Sequence, residues 1–267
     1  MFTGVLKKMQ SEISQEINYY LNLSGQFLHM NQCIDKTISL THKGFECLNC
    51  QRTEPIFRQG FCKNCFFESP QAGDWIMRPE LSTAHLDIED RDLAYEKKVQ
   101  LQPHIVYLAL SSHLKVGITR KTQLPTRWID QGAHQALALL EVPNRYLAGV
   151  GEVALKEHFS DKTNWRKMVQ NESEAVDWSA SIAKAIDHLP NDLKPYLHHP
   201  VPSPTHLEYP MVGQFPQKPV SLNLHKNPLY SGKLVGVKGQ YLLFEDQTVF
   251  NVRSNEGLVV RIAIQSN

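Results

Sequence analysis

The sequence predicts an α+β chain assembled from several modest units. Three observations predict it. Strand-type segments dominate both ends of the 267 residues, with helical spacing in the middle. Two close cysteine pairs interrupt the chain between residues 47 and 65. Eight of the fifteen prolines crowd into residues 190–219 and set the C-terminal stretch apart from the rest. At 42% hydrophobic residues there is ample material for a core, and the length suits two or three units better than one.

Residues 1–43 form a β-rich N-terminal unit. "EINYYLNL" and "KTISLTH" carry β-branched and aromatic residues with partial alternation. Residues 44–100 form a cysteine module and connector. Cys47, Cys50, Cys62 and Cys65 make two C-x-x-C pairs with eleven residues between them. That supplies the four thiolates a tetrahedral zinc ion needs, each pair forming a knuckle with backbone N–H groups aimed at sulfur. Gly60 suits the turn into the second pair. A closed four-sulfur site is structural, with no open position for chemistry. Cys33 stands apart and reads as a small core residue. Residues 84–100 are charged and read as a connector or short helix.

Residues 101–189 form the central unit. "HIVYLAL" (104–110) is apolar almost throughout and reads as a buried strand. "LKVGIT" reads as its hairpin partner, and "ALALLEV" as a third strand. Pro125 suits a first helical turn, where its missing N–H costs nothing. "NRYLAGVGEVALKEHF" has helical spacing, with Tyr146, Val150, Val153 and Ala154 on one face. "NESEAVDWSASIAKAIDHL" reads as a helix with Asn171 and Glu174 as a capping box and Val176, Ala180, Ala183 and Ile186 on one face. Residues 190–226 read as an extended connector, because each proline removes a donor and restricts its predecessor. Residues 227–267 alternate short apolar runs with Gly, Asp and Asn turns, the pattern of a small β-barrel.

Charge is nearly balanced, 28 basic against 27 acidic residues, so any nucleic-acid surface must be local. No apolar run approaches the ~20 residues needed to span a bilayer. No secretory h-region opens the chain, and the expectation is a cytoplasmic protein without a membrane partner.

Within the central unit, Tyr107, Lys115-Val116-Gly117, Arg127 and Glu152 occur in order. This order resembles the GIY-YIG nuclease superfamily, in the branch whose second triplet begins with Lys. The likeness covers roughly residues 104–170. It implies a GIY-YIG-like α/β domain acting on nucleic acid, DNA rather than RNA. Over a longer stretch, "HIVYLA…KVGITR…PTRWIDQGA…DKTNWR" is similar to a bacterial cysteine-rich family of unknown function. That family carries further cysteines after the second pair, where this chain reads "DWIMRPELSTAHLDIEDRDLAYEKKV".

The superfamily likeness implies phosphodiester hydrolysis. Glu152 would hold Mg²⁺ or Mn²⁺ through one carboxylate. Arg127 would clamp phosphate oxygens with its planar fork. Tyr107 would position or help deprotonate water, with Lys115 standing in for a second tyrosine. Arg120 and Lys121 add local positive charge, and Trp165 offers a ring on which a base can stack. Two rivals remain: a binding module that keeps the fold without catalysis, and a structural adaptor. Oligomeric state is open.

Overall fold

A computed structural model describes residues 1–160 and 162–265. Strands β1 (Phe2–Val5), β2 (Gln10–Glu12), β3 (Asn18–Leu23), β4 (Gln26–His29) and β5 (Thr37–Phe45) open the chain. Helices α1 (Lys63–Glu68) and α2 (Leu93–Gln100) flank a run of 3-10 turns. The central unit comes next as β6 (His104–Leu110), β7 (Leu114–Arg120), α3 (Thr126–Asp130), β8 (Gln135–Val142) and α4 (Arg145–Lys156). Then come α5 (Trp165–Val169), α6 (Trp178–His188), β9 (Thr205–His206) and β10 (Val220–Ser221). Strands β11 (Leu229–Lys238), β12 (Tyr241–Phe244), β13 (Thr248–Asn251) and β14 (Leu258–Gln265) close it. The fold is mixed α+β with several sheets.

The expected C-terminal barrel does not form among the described residues. An open seven-stranded sheet takes its place, ordered β1-β14-β5-β11-β12-β13-β10. β5 pairs antiparallel with both β11 and β14, so strands from the two ends of the chain share one sheet. A partner so distant in sequence leaves no trace in local alternation. β2, β3 and β4 make a separate sheet, and β7-β6-β8-β9 makes the central one.

β6 is buried along its whole length and feeds two cores. Ile105, Tyr107 and Ala109 join a large core with Tyr19, Ile38, Trp128, Leu234 and Val260. Val106, Leu108 and Leu110 point the other way, into a core with Leu155 and Leu189. Each fully buried apolar side chain of this size is worth about 1.5–3 kcal/mol.

Three helical details differ from the spacing. On α4 the buried positions are Ala148, Gly149, Gly151 and Leu155, while Val153 is exposed. Gly149 explains the difference: a Cβ there would lie 2.4 Å from Glu80 N, so the helix turns its glycine side to the Pro79–Leu81 turn. α6 is capped by Asp177, which accepts from Ala180 N, and not by Asn171. Glu174 instead accepts from Leu114 N at 2.6 Å, and Ala180 and Ala183 face solvent while Ile182 and Ile186 pack inward. The proline-rich connector also holds a short 3-10 helix (Asn191–Tyr196) and the strands β9 and β10. No helix among the described residues is long and apolar enough to cross a membrane.

Candidate functional site

The four cysteine sulfurs lie within 4.8 Å of one another. Cys50 and Cys62 Sγ are 3.8 Å apart, the spacing that a tetrahedron with ~2.3 Å zinc–sulfur bonds requires. The Cys62 N–H donates to Cys47 Sγ at 3.3 Å, and Asn49 Nδ2 donates to Cys65 Sγ at 3.3 Å. These are the knuckle contacts expected around a metal thiolate. Burial works against ionising Cys47, but the N–H groups of Cys50, Cys62 and Asn49 outweigh it and bring its pKa down to about 6. The cluster can hold a structural zinc ion.

In the central sheet Tyr107 stands directly opposite Gly117. A Cβ on Gly117 would lie 2.6 Å from the Tyr107 hydroxyl, so the phenol lies across the glycine. Its oxygen accepts from Gln131 Nε2, and its ring meets Trp128 edge-on. Lys115 shares this face, opposite Ala109, and its Nζ donates to Thr163 Oγ1 at 2.7 Å. Arg127 lies on α3 within the electrostatic reach of Tyr107, Asp130 and Glu152. Glu152 rises from α4, and its carboxylate lies 3.6 Å from Lys156 Nζ.

Two cavities open beside these residues. The smaller, about 310 Å³, is lined by Arg120, Arg127, Arg145, Lys8 and Arg253 together with Trp75 and Tyr95. The larger, about 610 Å³, is lined by Phe61, Trp165, Tyr241 and Met168 among others. Ile76, Met77, Asp130 and Arg253 line both, which makes them two lobes of one cleft. The cysteine module contributes Gln59 and Phe61 to its wall.

The family described as "Protein of unknown function (DUF2797)" matches residues 35–260. The chain belongs to this family. No curated protein and no solved structure matches it. The matched span of this DUF2797 chain includes all four cysteines and Tyr107, Lys115, Arg127 and Glu152.

Electrostatics sharpen the geometry of the DUF2797 cleft. Burial works against the Arg127 charge, but Tyr107, Asp130 and Glu152 outweigh it and raise its pKa. Burial, aided by Arg127 and Arg120 and opposed by Glu152 and Glu80, brings Arg145 down to about 10. The Arg145 guanidinium donates to the carbonyls of Trp75 and Ile76 and sits 5.4 Å from the Trp75 ring centroid. Burial pushes the Glu152 carboxyl up, against the pull of Lys156, Arg145 and Arg127.

A catalytic divalent ion at Glu152 finds no support in this arrangement. Three cations already face the carboxylate, and among the described residues the cysteines are the only cluster of three or more ligating side chains. Mg²⁺ or Mn²⁺ would meet Glu152 and Glu80 amid Lys156, Arg145 and Arg127.

Of the sequence-predicted residues, Tyr107, Arg127 and Glu152 come together, and Lys115 shares the Tyr107 face. Arg120 turns into the smaller lobe, whereas Lys121 is exposed and pairs with Glu141 at 2.9 Å. Trp165 lies against Tyr241 with nearly parallel rings 5.9 Å apart and carries the Arg166 guanidinium 4.4 Å from its centroid. Arg145, Arg253 and Lys8 have no motif around them, and only folding brings them to the cleft.

Proposed function

We propose that this chain is a zinc-bearing nucleic-acid-binding protein whose GIY-YIG-like central unit grips phosphates, with DNA as the expected partner. The observation that carries the reading is the convergence of Arg120, Arg127 and Arg145 on one lobe of an open cleft. Guanidinium forks match phosphate oxygens two at a time, and phosphate contacts supply most nucleic-acid affinity. The neighbouring lobe offers Phe61, Trp165 and Tyr241, the apolar and aromatic lining that suits bases. In this reading Glu152 is the counter-charge that keeps Arg127 and Arg145 in place. The zinc module stiffens one wall of the cleft.

Phosphodiester hydrolysis is the second reading. It is favoured by one specific observation: Tyr107 lies over Gly117 with Arg127 between it and Glu152 in electrostatic terms. Tyr107 and Lys115 would then position water, and Arg127 would steady the phosphate. The crowding of cations around Glu152 weighs against it.

The two readings separate in one assay. Zinc-loaded protein is incubated with Mg²⁺ or Mn²⁺ and single-stranded, duplex and branched DNA and RNA, beside the Glu152→Gln variant. Binding without cleavage, at unchanged or higher affinity in the variant, is the expected result. Cleavage that disappears in Glu152→Gln establishes the second reading. An absence of any binding at low salt removes both and leaves the structural adaptor.

A further inference from the structure

The charges around the smaller lobe are unequally matched at its two ends. At one end Lys8 and Arg253 are opposed by Asp130 and Glu256: Lys8 Nζ lies 2.9 Å and Arg253 3.8 Å from Asp130 Oδ2, and Glu256 feels both cations. At the other end Arg145 faces Glu152 and Glu80, and Arg127 faces Glu152 and the shared Asp130. Glu152 is shared further with Lys156. Over the whole lobe six cations (Lys8, Arg253, Arg120, Arg127, Arg145 and Lys156) stand against four carboxylates (Asp130, Glu256, Glu152 and Glu80), an excess of two positive charges.

Arg120 is the least satisfied of the three. Among the described residues its guanidinium makes no hydrogen bond or ion pair, although it lines the cavity and is not fully exposed. Its charge reaches Tyr95, His104 and Arg145. Arg145 feels the repulsion of both Arg127 and Arg120, which an anion entering the lobe would relieve. The lobe holds about 310 Å³, roughly the liquid share of ten water molecules, which is enough for a phosphate and its sugar.

The charge excess discriminates between kinds of phosphate. A backbone phosphodiester carries one negative charge, whereas a phosphate monoester carries about 1.5 to 2 at neutral pH. We infer that the arginine end of this lobe is a receptor for a terminal phosphate monoester, with the attached nucleotide extending into the larger aromatic lobe. The ligand class is thus a phosphorylated end of a nucleic acid or a free mononucleotide. The inference rests on the nucleic-acid reading for the nucleotide part and on the three arginines for the phosphate.

The test uses one short fluorescent single-stranded DNA in three forms: 5′-phosphorylated, 3′-phosphorylated and bearing hydroxyls at both ends. A mononucleoside 5′-monophosphate and its nucleoside serve as unlabelled competitors. Affinities are read by anisotropy on the full-length zinc-loaded protein. One phosphorylated form should bind at least about tenfold tighter than the hydroxyl form, and Arg120→Gln, with its melting temperature checked, should remove that difference. Competition by the monophosphate but not the nucleoside, at a potency matching the phosphorylated strand, assigns the site to free nucleotides; weaker competition assigns it to strand ends. Glu152→Gln should hold the phosphorylated strand at least as tightly as wild type. Equal affinity of all three strands overturns the inference while leaving nucleic-acid binding intact. No binding of any strand overturns both.

Discussion

Tyr107 and Gly117 are bound to each other by sterics. The phenol occupies the space a side chain at position 117 would fill, and its hydroxyl is held by Gln131. Gly117→Ala must therefore push either the ring or the strand aside. The expected cost is about 1–3 kcal/mol in urea unfolding, the range for overpacking a well-filled site. A variant as stable as wild type would show that the ring moves freely. This pairing was legible in the sequence because it is local: two strands joined by a short turn place facing residues at a calculable register. Arg127 and Glu152 were legible only through their order along the chain. The contacts of Lys115 and Glu174 were not legible, since they depend on segments some fifty to sixty residues away.

The cysteine module is the element whose chemistry the sequence announced most directly. Thiolate number and spacing fix the ligand set whatever surrounds it. Its placement was not announced. Gly60 packs on Leu48 and Glu256, and Ile56 packs against Gly257, so the knuckles lean on the loop before β14. Metal loss should then be felt beyond the module. A chelator, or Cys47→Ser, should lower the melting temperature by about 5 °C or more and weaken nucleic-acid binding together. Purified protein without zinc, and an unchanged melting temperature in Cys47→Ser, would contradict this. Helix α4 shows the opposite case. Its two glycines read as weak points in a helix, yet Gly149 is where another backbone comes closest. Spacing rules assume that large residues mark the buried face, and here contact selects the small ones.

At the scale of the whole molecule, the two ends of the chain close one sheet, and the cleft lies where that sheet, the central unit and the cysteine module meet. Such a site has no linear signature. Lys8, Arg145 and Arg253 come from three distant stretches, which is why only Arg127 and Arg120 stand out in the sequence. The same burial shapes the pH dependence. His104 is held near pKa 4 by burial with help from Arg145 and Arg120, against its bond to the Gln102 carbonyl. His134 is held near 4 by burial and Lys238, and burial brings Lys238 itself to about 7. Lys238 is fully buried and bonds Asn171 and His134 between the rings of Tyr209 and Phe215.

All three bases have folded pKa values below their unfolded ones, so the unfolded chain binds more protons and stability rises with pH. The histidines act between about pH 4 and 6.5, His104 alone on the order of 3 kcal/mol, and Lys238 acts from about 7 upward. Glu152 and Glu256, raised by burial, oppose this rise just above the ordinary carboxyl range. Tyr19 and Tyr209 are raised well above their ordinary value by burial, so stability falls again once free phenols ionise near pH 10. Chemical denaturation across pH should show a maximum between about 7 and 10. A maximum near pH 5 would refute the buried neutral bases.

The central claim is that Arg127 and its neighbours hold nucleic-acid phosphate in the cleft. It is tested most directly by the slope of log affinity against log salt for wild type and Arg127→Gln, with one DNA of fixed length. Wild type should show a steep negative slope, and the variant a slope smaller by about one with roughly tenfold weaker binding at low salt. Identical slopes and affinities for the two proteins would contradict it.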